Sequence, residues 1–364
     1  MWARRIGLAV ILILVSSLSL RATEPLEWIK VSDDQTGFIC QPSGKAFTPW
    51  GFNYDHDETG RLLEDYWEDE WPKVEADFQE MKALGANVVR VHLQVGRFLR
   101  GPDDPNPQSL RRLRDLLTLA ERTGLHLDLT GLGCYHKADV PAWYEELDEQ
   151  SRWNAQATFW KAIAQAGKHS PAIFCYDLMN EPVVPGGKRA PKDWLGPAFA
   201  GKHFVQVITL DQRDRPRPEI AKRWIRHLVQ AIRQHDQRHL VTVGLVDWSL
   251  DRPGLTSGFV PKEVTADLDF LCVHLYPQSG HLKKDLETLK GFQVGKPVVI
   301  EETFPLKATP EEFREFLIAS RPYAQGFIGF YWGKAPEELR TSKEFADQLL
   351  LKWLEIFEEL SPIR

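Results

Sequence analysis

Short apolar runs and amphipathic segments follow one another along most of this chain. Eight runs rich in Val, Ile, Leu and Phe have the length and composition of buried β-strands. Between most of these runs, apolar residues recur every three or four positions, as in a helix with one buried face. Val74, Phe78 and Met81 share such a face, and Gly85 ends that helix. The predicted strands span residues 46–53, 87–93, 125–131, 173–180, 240–246, 268–275, 297–301 and 327–332.

This alternation of strand and helix predicts a single-domain α/β fold, the (β/α)8 TIM barrel. An open doubly wound sheet is the alternative, but it should carry a glycine-rich phosphate-binding turn after its first strand. Here the first strand leads into Gly-Phe-Asn-Tyr-Asp at residues 51–55. A short hairpin at residues 28–40 precedes the barrel, and we expect it to cover the barrel bottom. The connection between the fifth and sixth strands has the weakest helical pattern.

The N-terminus has the pattern of a secretory signal peptide. Two arginines precede an apolar run at residues 6–15, and a stretch of Ser and Leu follows it. The cleavage site is imperfect, because Leu-Arg-Ala at residues 20–22 lacks a small residue at its first position. An uncleaved anchor is the alternative, although a membrane span needs about 20 apolar residues. We expect residues 1–22 to be a signal peptide, residues 23–364 to form the barrel domain, and the mature protein to be secreted or periplasmic.

Composition narrows the function classes. The chain has 364 residues, of which 26% are charged, and its formal net charge is −6. It therefore lacks the basic excess of a nucleic-acid-binding domain. The 13 Trp residues are a surplus, and exposed Trp side chains offer flat apolar faces to sugar rings. Four Cys could form two disulfides, but Cys134, Cys175 and Cys272 lie in or beside apolar runs, which favours buried free thiols.

Polar and charged residues concentrate where the predicted strands end. Asn180 and Glu181 close the fourth strand, and Glu301 and Glu302 close the seventh. The carboxyl ends of barrel strands form the active-site face, so these carboxylates should enter one cleft. Paired carboxylates are the groups that cleave glycosidic bonds. The other strand ends carry Asn53, Tyr54, Arg90, His92, residues 131–136, Asp247, Trp248, His274, Tyr276 and Trp332.

Two long connections are expected to form walls of this cleft. They span residues 134–153 and 183–218, and each follows a predicted strand. The second is rich in Gly, Pro and aromatic residues. Trp194, in that connection, and Trp248 are candidates for sugar-binding subsites.

With these residues in this order, the chain resembles the retaining glycoside hydrolases of clan A, and within them glycoside hydrolase family 5, the cellulase and mannanase family. The resemblance covers about residues 25–360. It rests on Asn-Glu-Pro at residues 180–182, Lys-Pro-Val-Val-Ile-Glu-Glu at 296–302, His-Leu-Tyr at 274–276, Arg90 and Trp332.

The resemblance implies a double displacement with Glu181 as the acid/base and a Glu of the seventh strand as the nucleophile. It further implies that Asn180 binds the sugar 2-hydroxyl, that Arg90 and Tyr276 keep the nucleophile charged and oriented, that His274 positions the acid/base or binds sugar, and that Trp332 forms the floor under the sugar. His92 and Trp248 are further candidates for sugar contacts.

The nucleophile could be either of two adjacent glutamates. Successive side chains of a regular strand point to opposite faces, so Glu301 and Glu302 cannot both enter the site from such a strand. The family usually places an aromatic residue and then Gly after the nucleophile, whereas Thr-Phe-Pro follows here at residues 303–305. Alignment on the preceding Lys-Pro-Val-Val-Ile favours Glu302, with Glu301 as the alternative.

The expected function is therefore an exported O-glycosyl hydrolase for β-linked poly- or oligosaccharides, of the endo-β-mannanase or endo-β-glucanase class. The alternative is a catalytically inactive carbohydrate-binding barrel, which should lack the acid, the nucleophile or the arginine. We expect no metal or other cofactor, because Asp-His-Asp at residues 55–57 fits no metal template and Gly-Leu-Gly at 131–133 lacks the third glycine of a dinucleotide turn. The chain is expected to act as a monomer without a nucleic-acid or membrane partner.

Overall fold

Eight parallel strands close into a barrel in the structure of this chain, a computed structural model that describes residues 25–252 and 255–362. The strands neighbour one another in chain order, and the last pairs with the first. Helices connect them on the outside, so the predicted (β/α)8 fold is confirmed. The predicted signal segment, residues 1–22, lies outside the described residues.

The elements of the described residues are numbered in chain order. The strands are β1 (Trp28–Val31), β2 (Phe38–Gln41), β3 (Ala46–Phe47), β4 (Trp50–Tyr54), β5 (Val88–Gln94), β6 (Leu99–Gly101), β7 (Asp104–Pro105), β8 (His126–Gly133), β9 (Ile173–Asn180), β10 (Pro182–Val183), β11 (Gln206–Val207), β12 (Leu240–Val246), β13 (Leu271–His274), β14 (Val298–Thr303) and β15 (Gly326–Gly329). The helices are α1 (Leu63–Tyr66), α2 (Trp71–Ala83), α3 (Val95–Phe98), α4 (Pro107–Thr123), α5 (Ala142–Glu145), α6 (Glu149–Gly167), α7 (Arg217–Arg233), α8 (Pro261–Val264), α9 (Leu282–Lys290), α10 (Pro310–Ser320), α11 (Pro336–Thr341) and α12 (Phe345–Leu360). Short 3₁₀ turns lie at Lys137–Asp139, Asp247–Ser249 and Thr265–Asp267.

The barrel strands β4, β5, β8, β9 and β12–β15 are buried along their whole length. One face of each strand looks into the barrel and the other lies under the helices, which is why these strands read as apolar runs. Helix α4 shows how the sequence forms the outer layer. Asn106 caps its first turn by accepting the N–H of Gln108, and Gly124 ends it with a left-handed φ of 74°.

An antiparallel sheet of β1, β2 and β3 covers the bottom of the barrel, as expected for the segment at residues 28–40. Phe38 of this sheet packs edge-on against Phe174 and Phe270, with ring centroids 5.3 and 5.2 Å away. These two residues lie at the amino ends of β9 and β13. The bottom of the barrel is therefore closed by apolar side chains.

The predicted strand boundaries hold best for the most apolar runs. β9 and β12 begin and end where the sequence predicts. The first predicted run divides into β3 and β4, and β15 ends at Gly329, three residues before the predicted end. Among its described residues, the fifth-to-sixth connection, with the weakest helical pattern, contains the four-residue helix α8 and two 3₁₀ turns but no longer helix.

The four cysteines are free thiols in the structure, and Cys134, Cys175 and Cys272 are buried. This confirms the prediction made from their place in apolar runs. Within the described ranges, no helix combines the length and the apolar character needed to cross a membrane.

Candidate active site

Glu181 and Glu302 lie side by side at the carboxyl end of the barrel. Glu181 directly follows β9 with a left-handed φ of 46°, and Glu302 lies in β14. One carboxylate oxygen of Glu181, one of Glu302 and a ring nitrogen of His274 all lie within 4.8 Å of one another. The His274 Nδ1 atom is 3.0 Å from Glu181 Oε1 and 3.5 Å from Glu302 Oε2. The fold thus brings the two sequence-predicted carboxylates together across 121 residues.

Glu302 is the deeper of the two carboxylates and is held by two donors. Arg90 Nη1 donates to its Oε1 at 2.6 Å, and the Tyr276 hydroxyl donates to its Oε2 at 2.7 Å. Burial raises the pKa of Glu302, while His274 and Arg90 oppose that shift. Its side chain is 8% exposed, against 18% for Glu181. Glu181 therefore lies nearer the mouth of the site, and the donors on Glu302 favour its ionised form.

Strand β14 is irregular at its end, and this affects both adjacent glutamates. Val273 pairs with Ile300, but His274 pairs with Glu302, so the register shifts by one residue. As a result Arg90 contacts both carboxylates, Glu301 at 3.4 Å and Glu302 at 2.6 Å. A regular strand would direct only one of the two glutamates into the site, but β14 is bulged, and both contact Arg90.

Arg90 organises the floor of the site from β5. Its Nη2 donates to Asp177 at 2.8 Å and to the Asn180 side-chain oxygen at 3.0 Å. The Asn180 amide nitrogen donates to the backbone carbonyl of Phe204 at 3.1 Å. Asn180 is therefore fixed between the barrel and the connection at residues 183–218, beside Glu181.

His92 is buried within β5. Burial and the neighbouring Arg90 lower its pKa well below the usual value, so the ring is neutral. Its Nε2 lies 3.1 Å from the Asn53 side-chain oxygen and donates to it, which leaves Nδ1 to accept the Tyr135 hydroxyl. His92 is 1% exposed, so in this structure it supports Asn53 and Tyr135 and lies away from the cleft surface.

The predicted aromatic floor is not where the sequence placed it. Trp332 is 1% exposed, its ring packs against Phe52, and its indole N–H donates to Asp77 at 3.1 Å. It therefore has no free face for a sugar, because the chain leaves the barrel after Gly329 and turns this side chain outward. Phe330, two residues earlier in the chain, is half-buried and lies beside Tyr276 of the site.

Phe330 lies among other aromatic rings of the active-site face. Its centroid is 6.3 Å from Phe204, 6.5 Å from Tyr276 and 6.2 Å from His56. Of the Trp candidates, Trp248 is half-buried in the turn after β12, while Trp194 is buried against Tyr144. Trp194 is thus a core residue of the connection. Phe330 is not predicted from the sequence, because only Trp side chains were considered there as surfaces for sugar rings.

Acidic residues inside the barrel strands were also missed. Asp128 and Asp177 are fully buried in the middle of β8 and β9. Burial and Glu301 raise the pKa of Asp177 to about 6, with Arg90 opposing. A carboxylate inside an otherwise apolar run was a signal that could have identified both, since buried charges require partners.

Among the described residues, two groups of side chains are close enough to be compared with metal sites, namely Glu181–His274–Glu302 and Asp128–Cys272–Glu301. A metal needs deprotonated ligands, so binding at either group would have to displace protons. Burial opposes the charge on His274, but Glu302, Glu181 and Glu301 outweigh it and raise its pKa to about 10. Burial and Glu301 raise the pKa of both Asp128 and Cys272. His274 and Asp128 can therefore donate hydrogen bonds to the neighbouring carboxylates.

Comparison with known proteins identifies the same class of barrel. The family model described as cellulase (glycosyl hydrolase family 5) matches residues 40–303. None of the curated proteins matches the chain.

Several solved structures share the fold at low sequence identity. The chain is similar to the exo-β-1,4-mannosidase Op5Man5 from Opitutaceae bacterium strain TAV5, with a TM-score of 0.68, 17% identity and coverage of 91% of this chain and 62% of that one. It is also similar to the β-mannanase of the blue mussel Mytilus edulis, with a TM-score of 0.57, 18% identity and coverage of 93% and 98%. The endo-1,4-β-mannanase of Rhizomucor miehei gives a TM-score of 0.61, 16% identity and coverage of 90% and 99%.

Proposed function

This chain belongs to glycosyl hydrolase family 5, and on that premise we propose that it is a retaining glycosidase that acts with Glu181 and Glu302. The observation that carries the proposal is the approach of the two carboxylates to within 4.8 Å, with His274 between them. Retaining enzymes have carboxyl groups about 5–5.5 Å apart, whereas inverting enzymes leave room for a water between them.

The proposed reaction has two steps. Glu302, kept ionised by Arg90 and Tyr276, attacks the anomeric carbon and forms a glycosyl ester. Glu181 donates a proton to the departing glycosidic oxygen. As a carboxylate, Glu181 then removes a proton from water, which attacks the ester and releases the sugar with its original anomeric configuration.

For the substrate we propose a β-linked polysaccharide or oligosaccharide of the β-mannan or β-glucan type. The names of the structural neighbours, an exo-β-1,4-mannosidase and two β-mannanases, support the mannan side of this proposal. We also propose export, with residues 1–22 removed as a signal peptide.

The first experiment is a screen of purified residues 23–364 on β-mannan, β-glucan, their oligosaccharides and aryl β-glycosides. Proton NMR of the earliest product should show the β-anomer, which mutarotates later. The α-anomer as first product would exclude retention. Saccharide binding without turnover would favour a carbohydrate-binding barrel.

The second experiment separates the roles of the two glutamates. Glu302→Ala should abolish turnover, and azide should restore it with an α-glycosyl azide product. Glu181→Ala should retain activity on activated aryl glycosides, which need no proton, and should give a β-glycosyl azide. If azide restored turnover to Glu301→Ala and not to Glu302→Ala, the nucleophile would be Glu301.

A further inference from the structure

His274 is held from both sides by carboxylates. Its Nδ1 faces Glu181 at 3.0 Å, and its Nε2 faces Glu301 Oε2 at 3.3 Å. Glu301 is 0% exposed, so no substrate or water from the cleft competes for this contact. A carboxylate can only accept, and the Nε2 atom of His274 must therefore carry a proton. The contact with Glu301 thus fixes a proton on Nε2 and leaves Nδ1 of His274 to face the proposed acid/base, Glu181.

A second buried acid lies behind Glu301. One oxygen of Asp128 falls within 4.8 Å of a Glu301 oxygen and of the Cys272 sulfur. Neither Asp128 oxygen accepts a hydrogen bond from a donor group of the described residues. Two buried carboxylates this close repel each other when both are ionised, which favours a proton on one of them.

The surrounding charges decide where that proton lies. Burial works to raise the pKa of Glu301, but Arg90 and His274 outweigh it and lower the pKa to about 2. Burial and the charge on Glu301 raise the pKa of Asp128 well above its usual value. Asp128 therefore carries the proton and can donate it in a hydrogen bond to Glu301.

We infer that Glu301 is a positioning residue, which accepts the Nε2 proton of His274 so that Nδ1 faces Glu181 and Glu302, and that Asp128 donates a hydrogen bond to Glu301. This inference rests on the proposed function of Glu181 and Glu302. The titratable and charged groups that face Glu301 are Arg90, Asp128, Cys175, Asp177, Cys272, His274 and Glu302.

The arrangement has a consequence for both steps of the proposed reaction. With Nε2 fixed by Glu301, the proton on Nδ1 is the one that can be shared with Glu181. A proton on Nδ1 stabilises Glu181 when it is a carboxylate, in the step that activates water. Loss of Glu301 should therefore lower kcat and leave substrate binding largely unchanged.

The test is a pH titration of the His274 ring by NMR in protein labelled with ¹³C,¹⁵N-histidine, with His274→Asn used for assignment. In the wild type His274 should remain doubly protonated through neutral pH. In Glu301→Gln its titration should move to lower pH by about 1–3 units, because an opposite charge has been removed. In kinetics on an aryl glycoside, kcat should fall about 10- to 100-fold with little change in KM, as for other residues that orient a working imidazole. Azide should not restore turnover.

Two matched comparisons complete the experiment. Glu64→Gln makes the same change in another buried glutamate, which accepts the Gln94 N–H at 2.8 Å outside this network, and it should leave the His274 titration unchanged. Asp128→Asn keeps a donor toward Glu301 and should shift His274 less than Asp128→Ala, which removes it. If circular dichroism shows that Glu301→Gln is unfolded, the two Asp128 variants test the inference in its place.

An unchanged His274 titration in folded Glu301→Gln would overturn the inference, and so would equal shifts in the two Asp128 variants. The titration needs no substrate. If the wild type cleaves no β-glycoside while His274 still shifts, the proposed function fails and the positioning contact remains.

Discussion

Arg90 is a fully buried cation, and acidic residues of two strands, β9 and β14, meet around it. Its guanidinium lies within 3.4 Å of Asp177, Glu301 and Glu302. A buried charge costs several kcal/mol unless partners compensate it, and removal of one partner leaves the others unpaired. Substitutions of these charged residues should therefore disturb stability together with catalysis, and loss of a single hydroxyl is a cleaner probe.

Tyr276→Phe removes one hydrogen bond from the proposed nucleophile and keeps the ring. The Tyr276 hydroxyl favours the ionised form of Glu302 and so lowers its pKa. Without it that pKa rises, and the acidic limb of the kcat/KM profile should move to higher pH by about one unit, since a hydrogen bond to a charged group contributes about 1.5–3 kcal/mol. Tyr323→Phe is the control, because it removes the hydroxyl from a ring that contacts Lys290 and not Glu302. An acidic limb at the same pH in both variants would contradict the contact.

Phe330 and Trp332 allow the aromatic floor to be located by substitution. Phe330→Ala should lower kcat/KM about 10- to 100-fold, which corresponds to about 1.5–3 kcal/mol of lost apolar contact. Trp332→Phe should leave kcat/KM unchanged but lower the free energy of unfolding by about 1–3 kcal/mol, because the half-buried Asp77 loses a donor. Kinetics and urea unfolding of both variants measure the difference. The reverse pattern would restore Trp332 as the floor.

At the scale of elements, apolar runs predict the barrel well because each strand is buried on both faces. β9 and β12 are predicted to the residue, and the two glutamates follow from the ends of strands. The failures occur where the backbone departs from regular alternation. The bulge in β14 turns Glu301 inward, and the early end of β15 turns Trp332 outward. Such departures depend on contacts between distant strands, and a local pattern does not contain them.

The connection at residues 183–218 is joined to the barrel at its base. β10 pairs in parallel with β11, and the carbonyl of Phe204 holds Asn180. Its outer turn is closed by hydrogen bonds of 2.8 and 2.9 Å between Phe199 and Lys202, and the Phe199 side chain is 65% exposed. The base thus supports the site, while the tip is free to contact longer substrates.

Phe199→Ser tests the role of this tip. If Phe199 stacks on a distant sugar, KM for a long oligosaccharide should rise about 2- to 10-fold, as expected for about 0.5–1.5 kcal/mol of aromatic contact. KM for an aryl glycoside should stay the same, because lost contacts matter only where sugars reach. Ile318→Ser, on the outer face of α10 and 40% exposed, is the control for loss of a surface apolar group. Equal changes on both substrates would argue against a subsite at the tip.

At the scale of the whole molecule, the two ends of the barrel have different tasks. The bottom is closed by aromatic packing around Phe38, and the carboxyl ends of the strands hold the polar site. Stability and chemistry are therefore separated along the barrel axis, which is the general arrangement of this fold. The chain enters the barrel from the closed end, since β1 and β2 belong to the bottom sheet.

This arrangement bears on the proposed export. The described fold begins at residue 25 and its first strand at Trp28, so cleavage after about residue 22 would leave every described contact in place. Intact-mass measurement of the protein produced in a secreting host should give a mature chain that lacks residues 1 to about 22, in the medium or periplasm. Deletion of residues 1–22 should abolish export and leave the specific activity of the folded protein unchanged. A full-length mass in the membrane fraction would instead identify the segment as an uncleaved anchor.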